Sequence, residues 1–214
     1  MTTASWVFAV AAGAFALTDW WGVWADRPRV RYVAKPATLA ALIGVALTLA
    51  PSVDPTIRTW LVAGLVLSLA GDVFLMFDEK WFAAGLGSFL LGHIAYVVGL
   101  QLAPTSWAGT VLGLAVVVAA IATIGRRIVV GVAAGEHREL VAPVVAYLVV
   151  ISAMSVSAAG TEAPWAVVGA SLFYASDATL AWNRFLEPHR WAPLTVMVTY
   201  HLGQAGLVAW LVTG

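Results

Sequence analysis

Eight apolar stretches, each long enough to cross a membrane as a helix, take up most of the chain. Crossing the hydrocarbon core takes roughly 20 mostly apolar residues, with about 17 to 25 tolerated. Short polar breaks separate the stretches, for example at 78–80 and 136–138, and leave no room for a soluble domain. We therefore expect residues 1–214 to form one all-α domain, a polytopic bundle of transmembrane helices. The predicted spans are 4–22, 35–50, 57–77, 82–101, 106–125, 138–157, 163–183 and 192–213.

The composition favours a membrane protein and excludes several other classes. Hydrophobic residues make up 62% of the chain and charged residues only 10%, whereas a soluble domain is about half apolar and about a quarter charged. Equal numbers of basic and acidic residues make nucleic acid an unexpected partner. The absence of cysteine excludes disulfides, thiol nucleophiles and thiolate metal sites. The first stretch lacks the basic start of a signal peptide, so we expect it to remain as a span.

The basic residues predict the orientation of the bundle, because cytoplasmic loops carry an excess of lysine and arginine. Every lysine and arginine except Arg58 falls in or beside the first, third, fifth or seventh loop; Arg126 and Arg127, for example, are assigned to the fifth. We therefore expect a multi-pass protein of the cell membrane with both termini on the non-cytoplasmic side. Pro36 is expected in the first turn of the second helix, a position that suits proline.

Ionisable side chains inside the spans are costly there, so each is a candidate for function. At 1.5 Å per residue, Asp72 and Asp177 lie roughly 8–9 Å inside the cytoplasmic boundary, and His93 and His201 lie roughly 12–16 Å from it. Asp19 is at a similar depth to the other aspartates or slightly shallower. The outer half of the bundle has no comparable set. Three further polar residues are expected at the cytoplasmic mouth, namely Lys35, Asn183 and Arg184, and three at compatible depth, namely Tyr96, Tyr200 and Gln204.

Two segments of the sequence echo one another. Residues 71–75 and 176–180 each contain a small residue, an aspartate, two further residues and a leucine. Each segment is followed in the next span by a histidine near a tyrosine. This pattern predicts that spans one to four and five to eight are parallel repeats, as in some other membrane folds. The histidine and tyrosine pairs are His93 with Tyr96, and His201 with Tyr200.

Structural roles for the same side chains stay open. Asp72 with Lys35, and Asp177 with Arg184, can form buried salt bridges that only fix helix packing. Asp19 is close enough to the interface to reach water or to cap a neighbouring helix. Either histidine can simply donate one hydrogen bond to a carbonyl group.

Five motifs occur in order between Lys35 and the last span. They are Lys35-Pro36, Ala70-Gly71-Asp72, Gly92-His93-Ile94-Ala95-Tyr96, Ser176-Asp177 followed by Asn183-Arg184-Phe185, and Thr199-Tyr200-His201-Leu202-Gly203-Gln204. The ordered set resembles the YhhN family of multi-span membrane proteins, which includes the lysoplasmalogenases of animals and bacteria. The resemblance implies an eight-span hydrolase that cleaves the vinyl-ether bond of a lysoplasmalogen. The products would be a fatty aldehyde and glycerophosphoethanolamine or glycerophosphocholine.

Two carboxyl groups can supply what this reaction requires, by the logic that serves glycosidases. The reaction needs an acid for the alkene carbon, an anion near the resulting cation and a base for water. We expect Asp72 and Asp177 to be the catalytic pair, with the acid not assigned, and we expect no metal or cofactor. Lys35 and Arg184 are expected to hold the substrate phosphate. The remaining expected substrate-binding residues are His93, Tyr96, Asn183, Tyr200, His201 and Gln204, with Asp19 as an accessory residue.

Two other functions stay open. His93, His201 and an aspartate are acceptable zinc ligands for a metal-dependent lipid hydrolase, although the closely spaced ligand motif typical of such enzymes is missing. A proton-coupled transporter or lipid carrier would use aspartate and histidine as a relay. Such a relay needs polar residues along the whole path, and the outer half of the bundle offers few. In either hydrolase, the expected partners are a lysophospholipid substrate and the surrounding membrane lipids.

Overall fold

The structure is a computed structural model that describes residues 1–77, 79–136 and 138–213. Within these ranges the chain forms eight long helices and no strand, which confirms the all-α helical bundle. Asp78 and His137, which belong to two of the predicted polar breaks, lie outside the described ranges. The helices are α1 (Thr3–Trp24), α2 (Pro28–Thr48), α3 (Pro55–Phe74), α4 (Phe82–Gln101), α5 (Trp107–Ala134), α6 (Val141–Gly160), α7 (Pro164–Phe185) and α8 (Ala192–Thr213).

The surface of the bundle is that of an integral membrane protein. In the described part of the chain, seven of the eight helices are long and apolar enough to cross a bilayer. The exception is α7, which is long enough but carries Asp177, Asn183 and Arg184 among its apolar residues. Large apolar side chains such as Leu112 and Val149 face outward. Lipid tails solvate such a surface well, whereas water does not.

Helix α2 begins at Pro28, well before the predicted span. Pro28 occupies the first turn and Pro36 lies inside the helix, so the prediction that Pro36 starts it is wrong. The prediction used side-chain hydropathy, but the helix is held by backbone hydrogen bonds that continue past Arg29 and Arg31. As a consequence, Lys35 lies within α2 instead of at its beginning.

Two other boundaries differ from the prediction. Helix α3 ends at Phe74 rather than at residue 77. Helix α5 continues to Ala134, so Arg126 and Arg127 lie within a helix and not in a loop. A π-helical turn at Ile121–Gly125 interrupts the regular pattern of α5. Such turns widen a helix locally and often occur beside functional sites.

Helix α8 is the centre of the bundle. Of its most apolar stretch, 61% is buried, against 17% for α5. It packs most extensively on α7 and also contacts α1, α2 and α3. Glycines allow the close approach to α7: a Cβ atom on Gly169 would lie 2.7 Å from the backbone nitrogen of Leu207 and 2.9 Å from the carbonyl oxygen of Gly203. This contact fixes α7 and α8, and with them Asp177 and Tyr200, relative to each other.

Candidate active site

A cavity of about 480 Å³ lies at the end of the bundle where α3 and α7 end and where α2, α4 and α8 begin. Its volume is within the usual range of about 300–1,000 Å³ for small-molecule sites. Apolar side chains such as Leu86, Phe89, Ile151 and Met197 form much of its wall. The polar residues that line it are Arg31, Lys35, Asp72, Tyr147, Tyr174, Ser176, Asp177, Asn183, Arg184 and Tyr200.

Asp72 has a cation beside it. It is buried at the end of α3, and Lys35 Nζ of α2 lies 2.8 Å from its Oδ1 atom. The Tyr200 hydroxyl of α8 donates a hydrogen bond of 2.9 Å to the Oδ2 atom. The ammonium group also lies 6.0 Å from the centre of the Tyr200 ring. Helices α2 and α8 thus hold this carboxylate, the first through an ion pair and the second through a hydrogen bond.

The position of Lys35 corrects the sequence analysis. The residue is only 8% exposed, so the prediction that it stands at the mouth of the site is wrong. Its longer helix carries it into the interior, where it forms the buried salt bridge with Asp72 that was one of the open structural roles. Removing a charge from water is costly unless an opposite charge compensates it, and Lys35 and Asp72 compensate each other.

Asp177 has a tyrosine and a histidine beside it. The Tyr147 hydroxyl of α6 donates a hydrogen bond of 2.6 Å to its Oδ2 atom. His93 Nε2 lies 3.6 Å from the same oxygen, close enough for an ion pair but too long for a hydrogen bond. The salt bridge with Arg184, which was one of the open structural roles, is not formed; within the described residues, the side-chain partners of Asp177 are Tyr147 and His93.

The contacts of His93 fix its orientation. Its Nδ1 atom lies 2.7 Å from the Phe89 carbonyl oxygen, which accepts a hydrogen bond only if Nδ1 carries the hydrogen. The Nε2 atom has no hydrogen bond in the described part of the chain and faces Asp177. The Phe173 ring, 4.5 Å away between centroids, packs against the imidazole. His93 therefore stands behind the carboxyl group and does not line the cavity.

Three other predicted binding residues also lie behind the cavity wall. Tyr96 donates a hydrogen bond of 2.6 Å to Gln204 Oε1, and both side chains are fully buried. His201 Nδ1 accepts a hydrogen bond of 3.1 Å from the Trp20 indole. None of these side chains lines the cavity. They can therefore affect a bound molecule only indirectly, by positioning Tyr200 and its neighbours.

Two arginines mark the exposed end of the cavity. Arg31 is partly exposed, and its Nε atom lies 3.7 Å from Asp19 Oδ1. Asp19 is fully buried outside the cavity lining, and neither of its carboxyl oxygens accepts a hydrogen bond from the described residues, so it neither reaches water nor caps a helix as considered for it. The Arg184 guanidinium lies 3.9 Å from the centre of the Phe82 ring. Asn183, also in the lining, accepts a hydrogen bond of 2.7 Å from the His189 backbone N–H, which shapes the α7–α8 turn.

Sequence analysis missed Tyr147 and Arg31. Tyr147 lies in an apolar span without any of the motifs, and only ionisable residues and their motif neighbours were scored. Its hydroxyl group in the half of the span predicted to be cytoplasmic was the one available signal. Arg31 was counted as a loop charge because the start of α2 was placed too late. In the described ranges, no three histidine, aspartate or glutamate side chains cluster closely enough to hold a metal ion.

Comparisons with known proteins identify the family. The YhhN family matches residues 30–211. The chain is 37% identical over 139 residues to a lysoplasmalogenase of Mycobacterium tuberculosis, a match that covers 60% of this chain and 51% of the relative. It is 33% identical over 148 residues to lysoplasmalogenase TMEM86B of Sus scrofa, covering 67% of this chain and 59% of the relative. The chain thus spans between half and two thirds of the length of these relatives. No solved structure matches it. The chain belongs to the YhhN family.

Proposed function

We propose that the protein hydrolyses the vinyl-ether bond of a lysoplasmalogen, with Asp72 and Asp177 as its catalytic groups. One observation carries this proposal. Carboxyl groups from two helices line a single cavity whose wall is largely apolar and whose exposed end holds two arginines. The relatives named lysoplasmalogenase, at 37% and 33% identity, support the same reaction.

The proposed reaction consumes one water molecule and regenerates the acid. A carboxylic acid protonates the alkene carbon remote from oxygen, and the positive charge is shared by the other alkene carbon and the ether oxygen. Water adds to that second carbon and gives its proton back to the carboxylate. In the resulting hemiacetal, the hydroxyl proton moves to the glycerol oxygen as the carbon–oxygen bond breaks, and the aldehyde and the alcohol leave. A second carboxylate stabilises the cation, as in glycosidases.

The lining of the cavity suits a single-chain lipid, because it combines arginines with a largely apolar wall. We place the phosphate at the exposed end beside Arg31 and Arg184, because guanidinium groups bind phosphate through paired hydrogen bonds. Lys35, which sequence analysis assigned to the phosphate, is held by Asp72. The alkenyl chain then runs along the apolar wall, past Phe89 and Ile151. The bond to be cleaved lies between these two ends, at the level of the aspartates. With the orientation that the basic residues predict, the headgroup faces the cytoplasm.

Substitution of the two aspartates tests this proposal. We expect Asp72→Asn and Asp177→Asn each to lower the rate of aldehyde release from lysoplasmalogen at least about 100-fold, because loss of a general acid or base typically costs 10²–10⁴-fold. The measurement is mass spectrometry of the products formed by purified protein in detergent.

The matched control is Asp54→Asn. Asp54 caps α3 by accepting a hydrogen bond from the Thr56 backbone N–H, at the opposite end of this helix from Asp72. Asparagine caps a helix equally well. We expect this variant to retain wild-type activity. Near wild-type activity of a folded Asp72→Asn or Asp177→Asn protein would contradict the proposal.

A further inference from the structure

We propose that Tyr147 and His93 position Asp177 as the proton donor of the cavity, while Asp72, paired with Lys35, remains the carboxylate that stabilises the cation. This inference rests on the proposed function and extends it. It assigns different roles to the two carboxyl groups, and it adds a residue of α6 to the catalytic assembly.

The partners of the two groups differ in charge. The nearest polar group to Asp72 is an ammonium ion at 2.8 Å, which balances a carboxylate. The polar groups next to Asp177 are a phenol at 2.6 Å and an imidazole at 3.6 Å. A carboxylate that stays ionised through the reaction is best placed beside the fixed cation, where Asp72 lies. The group that gives up and regains a proton is best placed among partners that can exchange one, where Asp177 lies.

The hydrogen-bond pattern around Asp177 favours one proton between Asp177 Oδ2 and His93 Nε2. His93 Nδ1 donates to the Phe89 carbonyl, so the Nε2 lone pair of a neutral imidazole points toward Asp177 Oδ2. Two lone pairs that face each other repel, unless a proton is bound to one of the two atoms. The histidine–aspartate pair can hold this proton on either partner. Asp177 alone of the two lines the cavity, so it is the group that delivers the proton to a substrate.

Tyr147 fixes the orientation of this pair. Its hydroxyl lies 2.6 Å from Asp177 Oδ2 and 3.4 Å from His93 Nδ1. Because the Nδ1 hydrogen already points to Phe89, the phenol hydrogen goes to the carboxyl group. The tyrosine and histidine rings also pack edge to face with centroids 5.2 Å apart. The phenol therefore determines which carboxyl oxygen faces His93. Tyr147 is thus a positioning residue, which need not contact the reacting atoms of the substrate.

The proton balance follows from these positions. The O–H bond of Asp177 breaks as a C–H bond forms at the alkene carbon remote from oxygen. The cation is stabilised by the carboxylate of Asp72. Water then adds to the other alkene carbon and returns its proton to Asp177, with His93 able to share it. No oxidant, reductant or metal ion enters this balance.

The variant Tyr147→Phe tests the inference, with Tyr32→Phe as its control. Tyr32 is exposed on α2 and is not part of the cavity lining. We expect Tyr147→Phe to lower kcat about 10- to 100-fold, within the range for impaired proton transfer, while KM changes less than about threefold. Binding of the saturated alkyl-ether lysolipid, which cannot be protonated at carbon, should be unchanged. Tyr32→Phe should match the wild type in all three measurements.

A second variant guards against a purely structural effect. We expect His93→Gln to lower kcat with KM nearly unchanged. If the wild type releases aldehyde and Tyr147→Phe or His93→Gln retains its kcat, the inference is overturned and the proposed function stands. A rise in KM at constant kcat would also overturn it, because the residues would then serve binding alone. Wild-type protein that releases no aldehyde would overturn both.

Discussion

The two carboxyl groups of the cavity belong to similar sequence segments but have opposite surroundings. Asp72 is paired with a lysine, and Asp177 is bonded to a tyrosine and faces a histidine. The difference comes from neighbouring helices: α2 supplies the cation, and α6 supplies the phenol. Two similar segments can therefore hold two different chemical functions, since the charge balance of a buried carboxyl group is set by what packs against it.

The segments also exchange partners. Tyr200, which follows the second aspartate along the chain, bonds to the first aspartate, Asp72. His93, which follows the first aspartate, faces the second, Asp177. Each site thus needs helices from both halves of the chain. The parallel repeat itself stays a prediction, but this reciprocal contact explains why neither half would form a complete site alone.

The largest expected loss of stability comes from removing the positive charge of Lys35, which Asp72 has beside it and Asp177 does not. Lys35→Met leaves Asp72 buried without a cation, and we expect the free energy of unfolding to fall by about 3–5 kcal/mol. Thermal and denaturant unfolding in detergent measures this change. The double variant Lys35→Met with Asp72→Asn removes both charges and should recover most of the lost stability without recovering activity. A single variant as stable as the wild type would show that Asp72 does not depend on Lys35.

Each aspartate accepts a hydrogen bond from a tyrosine hydroxyl, and we expect a smaller loss of stability when the bond to Asp72 is removed. Tyr200→Phe removes the phenol from Asp72 but leaves Lys35 in place. We expect a loss of stability of about 1.5–3 kcal/mol, the usual value for a hydrogen bond to a charged group. We also expect a smaller decrease in kcat than for Tyr147→Phe. Parallel unfolding and aldehyde-release assays compare the two. A larger decrease in kcat for Tyr200→Phe would reverse the assignment of roles.

The all-α fold and the two carboxyl groups of the cavity were predictable from the sequence. Apolar stretches separated by short polar breaks specify membrane helices, because the bilayer sets their length. The cost of ionisable groups in hydrocarbon singled out Asp72 and Asp177, and both line the cavity. The same reasoning put His93 in the same half of the bundle, and its side chain lies beside Asp177.

The remaining details depend on how far each helix is rotated about its axis, which span lengths do not give. Depth alone could not tell that Tyr147 faces Asp177, or that Tyr96 and Gln204 face each other behind the wall. The start of α2 was misplaced because side-chain polarity marks where the membrane ends, not where backbone hydrogen bonding ends. Because of that error, Lys35 was predicted at the mouth instead of in the interior, and Arg31 was not recognised as a residue of the site.

Product analysis with wild-type protein tests the central claim most directly. Purified protein in ¹⁸O-labelled water is incubated with a lysoplasmalogen, with the 1-acyl lysolipid and with the saturated alkyl-ether lysolipid of the same headgroup. We predict free aldehyde from the lysoplasmalogen only, and a glycerophospho-alcohol without the label, because water attacks the alkenyl carbon and the glycerol oxygen is retained. Fatty acid from the acyl lipid without any aldehyde, or label in the glycerophospho-alcohol, would contradict vinyl-ether hydrolysis in this cavity.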